Sequence, residues 1–226
     1  MRLTGLAAAT AYRRLVPRQP TAGGALPHGH SEAMLVLEHI AYRKTYALSG
    51  HDIAGVLWAA AMQVTAKSES RAPSELAGLV EALTAHVEHI PVEPLDIGTI
   101  LWALASLDAR PSDSLLASLT DATMRLERGL SAPIIANYLW SLGKLRRFHL
   151  RVETRLLDML AERALACAAV DHSMAAQDVT SIVWAFARLF MIPAGALEAH
   201  GALPRQIELL AGSWGADRGG WGRECV

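Results

Sequence analysis

The stretch whose reading decides the fold is "LDIGTILWALASLDARP", residues 95–111. Ile97, Ile100, Leu101, Leu104 and Leu107 share one side of a helix at about 100° per residue, the pattern of an amphipathic helix facing a core. Trp102 falls roughly opposite that side, where a large ring needs a second surface to cover it.

Working outward, the same arrangement recurs. Trp58, Trp102, Trp140 and Trp184 are spaced by 44, 38 and 44 residues, and the segments around them read "DIAGVLWAAAMQV", "DIGTILWALASLD", "IIANYLWSLGKLR" and "DVTSIVWAFARLF". Five residues before the Trp stand Ile53, Ile97, Ile135 and Val179; two before stand Val56, Ile100, Tyr138 and Ile182; one before stand Leu57, Leu101, Leu139 and Val183. Two after come Ala60, Leu104, Leu142 and Phe186, and five after come Gln63, Leu107, Leu145 and Leu189. Asp52, Asp96 and Asp178 open three copies as expected N-caps, with Ser131 and Pro133 as start signals in the third.

Each Trp helix is followed by a breaker and a second helical pattern, at 73–90, 111–130, 150–170 and, more weakly, 193–212. A further stretch, 31–46, reads as the second helix of a degenerate leading unit. Helix pairs repeating at about 40 residues predict an all-α fold, an α-solenoid of about four hairpins in which each pair buries its faces on the next. The Trp then has a role. It sits beside small residues four before it (Ala54, Gly98, Ala136, Thr180) and three after it (Ala61, Ala105, Gly143, Ala187), a combination suited to close packing against an adjacent repeat.

The totals agree with one stacked domain of 226 residues, 52% hydrophobic, carrying a net charge of −1. That balance gives no global basic signature, so any nucleic-acid function must come from local clustering. No run of about 18 apolar residues is free of charges and breakers, so no membrane partner is expected. Residues 1–30 hold Arg2, Arg13, Arg14 and Arg18 and no acid, the composition of an organellar transit peptide or of a disordered extension. The repeat domain is expected over 31–212 and a flexible Gly- and Trp-containing tail over 213–226.

One sector of the Trp helix stays small or polar while its surroundings hold: Gly55, Ala59, Met62; Thr99, Ala103, Ser106; Asn137, Ser141, Lys144; Ser181, Ala185, Arg188. Such a stripe can differ from unit to unit if it faces a ligand, as in repeat proteins that read single-stranded RNA base by base. A solvated surface gives the same pattern. In "KLRRFHLRVETR", Lys144, Arg146, Arg147, Arg151 and Arg155 gather near Phe148, a set able to neutralise phosphates with an aromatic for stacking. The candidate RNA-binding residues are therefore Thr99, Ser106, Asn137, Ser141, Lys144, Arg146, Arg147, Arg151, Ser181 and Arg188.

Catalytic signals are poor. His86 and His89 in "HVEHI" lack a third ligand, His28 and His30 lie in a Pro/Gly-rich linker, and phosphate-loop and nucleophile-elbow motifs are missing. No enzyme activity, cofactor or metal is expected.

At "IIANYLWSLGKL" and "DIGTILWALASLDARP" the sequence resembles the octotricopeptide-repeat proteins and their relatives, the FAST-kinase-like leucine-rich domains and heptatricopeptide proteins. Their first helix runs Leu-Ala-Asn-Leu-Leu-Trp-Ala-Leu-Ala, and the likeness covers about residues 50–192. The resemblance implies binding of organellar single-stranded RNA, in the mitochondrial matrix or the chloroplast stroma, for RNA processing, stability or translation, with other proteins of a ribonucleoprotein complex as partners. Of the family's Asn three before the Trp, only Asn137 survives, with Gly55, Thr99 and Ser181 in the other copies. A HEAT- or armadillo-like protein scaffold, or a structural subunit of an organellar ribosome, is the alternative.

Overall fold

The computed structural model describes residues 10–11, 37–65, 76–169 and 174–190, and all regular structure among them is helical. The expected transit peptide (apart from residues 10–11), the His28 and His30 linker, the weak helix at 193–212 and the tail with Trp214 and Trp221 lie outside the described residues. A helical segment at 37–43 and a 3-10 turn at Thr45–Ala47 lead into α1, Gly50–Thr65. Then follow α2 (Ala77–Val87), α3 (Pro94–Leu107), α4 (Asp113–Arg125), α5 (Ala132–Leu145), α6 (Thr154–Ala168) and α7 (Ala176–Phe190). The odd-numbered helices are the Trp helices.

Contacts follow chain order. The Trp helices lie side by side, α1 against α3, α3 against α5 and α5 against α7, and these are by far the most extensive packings. Each of α1, α3 and α5 also touches the helix after it, while α2, α4 and α6 meet one another in sequence. The apolar face that the sequence marks is the core: Ile53, Ile97, Ile135, Leu57, Leu101, Leu139, Tyr138 and Phe186 are all fully enclosed. Each such side chain contributes about 1.5–3 kcal/mol on leaving water, which is what orders short helices that would be marginal alone.

The starts of the three Trp helices opened by an Asp differ from expectation by three residues, whereas α5 starts at Ser131 as expected. The N-caps are Ser49, Glu93 and Ser131, and the conserved-register Asp is the third helical residue, reaching back to the amide of the cap position. Asp52 Oδ2 accepts from Ser49 N–H at 3.1 Å, Asp96 Oδ2 from Glu93 N–H at 3.4 Å and Asp178 Oδ2 from Ala175 N–H at 3.2 Å. At α1 the link is reciprocal, because Asp52 N–H donates to Ser49 Oγ at 3.2 Å, and α3 carries the same box between Glu93 and Asp96. In α5 the equivalent residue is Ile134, and Pro133 in the first turn supplies the helical start instead.

How the Trp helices approach one another is visible at two glycines. A Cβ on Gly98, four before Trp102, would lie 3.5 Å from Ile134 Cγ2, six before Trp140. A Cβ on Gly143, three after Trp140, would lie 3.3 Å from the Cα of Ala185, one after Trp184. In both junctions the flank carrying the small positions of one Trp helix meets the opposite flank of the next, so the backbones close in where side chains are smallest.

Tyr138 points from α5 into the core. Burial pushes its phenol above the ordinary value of 10.0, an effect that the Thr123 and Thr120 hydroxyls beside it partly offset. Its hydroxyl nonetheless has no partner in hydrogen-bond geometry among the described residues, and the adjacent Thr123 Oγ1 donates its proton to Leu119 O at 2.6 Å.

Candidate nucleic-acid interface

In α3 and α5 the apolar face is turned to the second helices and both flanks to neighbouring Trp helices, which leaves one sector outward. It holds the Trp itself and the positions three before and four after it. From first copy to last these read Gly55, Trp58, Met62; Thr99, Trp102, Ser106; Asn137, Trp140, Lys144; and Ser181, Trp184, Arg188. Exposure grows along the row. Gly55 is buried; Trp58, Met62, Thr99, Trp102 and Ser106 are half-buried; Asn137, Lys144, Trp184 and Arg188 are exposed, while Trp140 and Ser181 remain half-buried. No position in the row is a carboxylate.

One part of the expected stripe is closed. The residues directly after each Trp, Ala59, Ala103, Ser141 and Ala185, have no accessible surface. Ser141 is thus not a surface residue: it lies at the junction between Trp helices, and its Oγ donates to Asn137 O at 2.5 Å, one turn back. Thr99 makes the same kind of internal bond, Oγ1 donating to Leu95 O at 2.8 Å, but keeps partial exposure.

The two exposed cations of the row lie over indoles of their own helices. Lys144 Nζ is 5.6 Å from the Trp140 ring centroid, and the Arg188 guanidinium carbon is 5.6 Å from that of Trp184. The two rings lie 6.4 Å apart at an interplanar angle of 31°, and Trp184 Cζ3 would be 3.0 Å from a Cβ on Gly143. The indole of the fourth copy therefore rests on the third. This is the use of the ring that its place beside small residues suggests.

The basic cluster after α5 is arranged differently from expectation. Arg146 and Phe148 are half-buried in the 3-10 turn Arg146–Phe148. Arg147 stacks on Phe148, 4.8 Å from its centroid, and forms an ion pair with Asp108 in the turn after α3. Arg155 pairs with Glu153 and, at 3.7 Å, with Asp121. Nearby carboxylates thus neutralise the charge of Arg147 and Arg155, while Lys144 and Arg151 are exposed and form no ion pair among the described residues. The Arg147–Asp108 pair is invisible to a reading by local spacing because it joins two turns 39 residue numbers apart. The signal that finds it is the repeat: each residue follows a Trp helix, and adjacent helices bring their trailing turns together.

Elsewhere, His86 is half-buried with its Nε2 unpartnered and His89 is exposed. No group of three or more metal-binding side chains occurs among the described residues, and no helix among them is long and apolar enough to cross a membrane. Neither a protein-family model nor a curated protein matches the chain.

Proposed function

We propose that the chain is an α-solenoid of helix hairpins that binds single-stranded RNA along the outward row of its Trp helices, acting in an organelle on RNA processing, stability or translation. The observation that carries the reading is the row itself. Four indoles in register are edged by hydrogen-bonding side chains (Thr99, Ser106, Asn137, Ser181) and, in the last two copies, by Lys144 and Arg188, with no carboxylate among them. Bases need aromatic faces and polar edges, and phosphates need cations, which is the set this row presents. The resemblance to organellar RNA-binding repeats and the acid-free, Arg-containing first 30 residues support the same reading. Four units would span about four nucleotides at one per repeat, so a protein partner or longer assembly is expected to add affinity.

The test is a salt titration of binding to short single-stranded RNA. Affinity falls as salt rises, and Lys144→Gln with Arg188→Gln weakens it more than charge removal at Arg147, whose guanidinium already serves Asp108. Absence of binding at low salt refutes the reading.

A protein scaffold is favoured by one observation. Ala54, Gly98, Ala136, Ala61, Ala105 and Gly143 are buried, whereas their counterparts on α7, Thr180 and Ala187, are exposed, so that flank could take a further helix from a partner.

A further inference from the structure

We infer that the outward side of Trp184, edged by Arg188, is a stacking seat for one nucleobase of a single-stranded nucleic acid. The inference rests on the RNA-binding reading and adds to it a particular residue and ligand chemistry, a planar heterocycle with a phosphate beside it.

Trp184 differs from the other three indoles of the row. Trp58, Trp102 and Trp140 are half-buried, but Trp184 is 37% exposed, and no further Trp helix follows it among the described residues. Its ring is nevertheless held in place. One edge rests over Gly143, and the centroid lies 6.4 Å from that of Trp140. An exposed ring fixed by packing loses little freedom when a ligand lands on it, which favours binding.

The geometry also says where the base goes. At 6.4 Å and 31° the two indoles are already in contact with each other, so there is no slot between them and a base must seat on the outer side of Trp184. Arg188 lies 5.6 Å from that ring, and neither Arg188 nor Lys144 has a carboxylate partner among the described residues. A cation over an exposed ring is weakly held. A base can take over the ring face, and the displaced guanidinium, still tethered one helical turn away, is within reach of the adjoining phosphate.

The experiment uses the full chain with labelled oligouridylate and oligothymidylate at low salt, read by fluorescence anisotropy and by the indole N–H resonances. Trp184→Ala weakens binding about tenfold, the order expected for one stacked base, while Trp184→Phe keeps most of the affinity. Arg188→Gln flattens the dependence of log K on log salt by about 0.7, one phosphate on a single strand. Tyr46→Ala, an exposed ring in the turn before α1 and off the Trp helices, changes nothing. The Trp184 indole N–H, assigned by its loss in Trp184→Phe, shifts when oligouridylate is added. Preference for oligouridylate over oligothymidylate assigns the seat to RNA, and equal binding assigns it to the shared base and phosphate chemistry. Should Trp184→Ala lose the wild-type melting transition, the indole shift and Trp184→Phe decide. Binding that responds to Lys144→Gln and Arg188→Gln but not to Trp184, with an unmoved indole signal, overturns the seat alone. A wild-type chain that binds no oligonucleotide overturns both this inference and the RNA reading. Self-association that Trp184→Ala abolishes, with no oligonucleotide effect, assigns the ring to a protein contact and overturns the seat.

Discussion

Replacing Gly143 with alanine sets two effects of known sign against each other. Removing a glycine from a helix interior gains about 1 kcal/mol in propensity. The new methyl, however, would stand 3.0 Å from Trp184 Cζ3, 3.3 Å from the Cα of Ala185 and 3.6 Å from its Cβ. Carbon atoms prefer about 3.5–4.0 Å, so α5 and α7 must part by a few tenths of an ångström. The ring contact can ease by a slight tilt of the indole, but the Ala185 backbone cannot yield without moving its helix. Overpacking of this kind costs about 1–3 kcal/mol, so the net effect is a destabilisation of about 0–2 kcal/mol. Gly78 provides the reference, since nothing among the described residues lies within 4 Å of its Cβ position, and Gly78→Ala is expected to stabilise by about 0.5–1 kcal/mol. Urea unfolding followed by far-ultraviolet circular dichroism measures both. If Gly143→Ala stabilises as much as Gly78→Ala, α7 does not pack on α5 in the way described and the row of indoles loses its geometry.

Other perturbations test other parts of the structure. Gly50→Ala is destabilising by more than Gly143→Ala in the same urea assay, because its Cβ would meet the backbone Pro91 O at 2.7 Å as well as Val92 Cγ1 at 2.9 Å. Tyr138→Phe removes a buried hydroxyl without a partner and raises stability by up to about 1 kcal/mol, or a few degrees in Tm by calorimetry. The raised phenol also gives the wild type a pH signature. The folded state favours neutral Tyr138, so its contribution is complete below pH 10.0 and is lost as pH climbs through the higher folded value; Tyr138→Phe abolishes that alkaline component. His149→Gly relieves a left-handed backbone at φ 53° and stabilises by about 1 kcal/mol, measured by thermal melting.

Helix positions were legible in the sequence because the apolar face repeats at fixed offsets from each Trp, and packing against neighbouring helices enforces that face in α1, α3, α5 and α7. Cap assignment went astray by three residues for a physical reason. A carboxylate in the first turn meets the same free amides whether it caps the helix or reaches back to the cap, and the true cap residues, Glu93 among them, carry no uniform chemistry. The stripe misled in part because a helical wheel shows angles but not how close the lateral neighbours come. Ala59, Ala103, Ser141 and Ala185 are small because another backbone abuts them, whereas the exposed residues four after the Trp, Lys144 and Arg188, are long and charged because nothing does. The basic cluster was readable as composition but not as net charge, since Asp108 and Asp121 reach it from other units.

The alternating flanks of the Trp helices have a consequence for how such a chain can grow. Gly98 meets Ile134 and Gly143 meets Ala185 through equivalent sides, so these two seams are built alike. If the hairpins stack as proposed, tandem duplication of the unit between them would hand the newborn edge a mate it already fits.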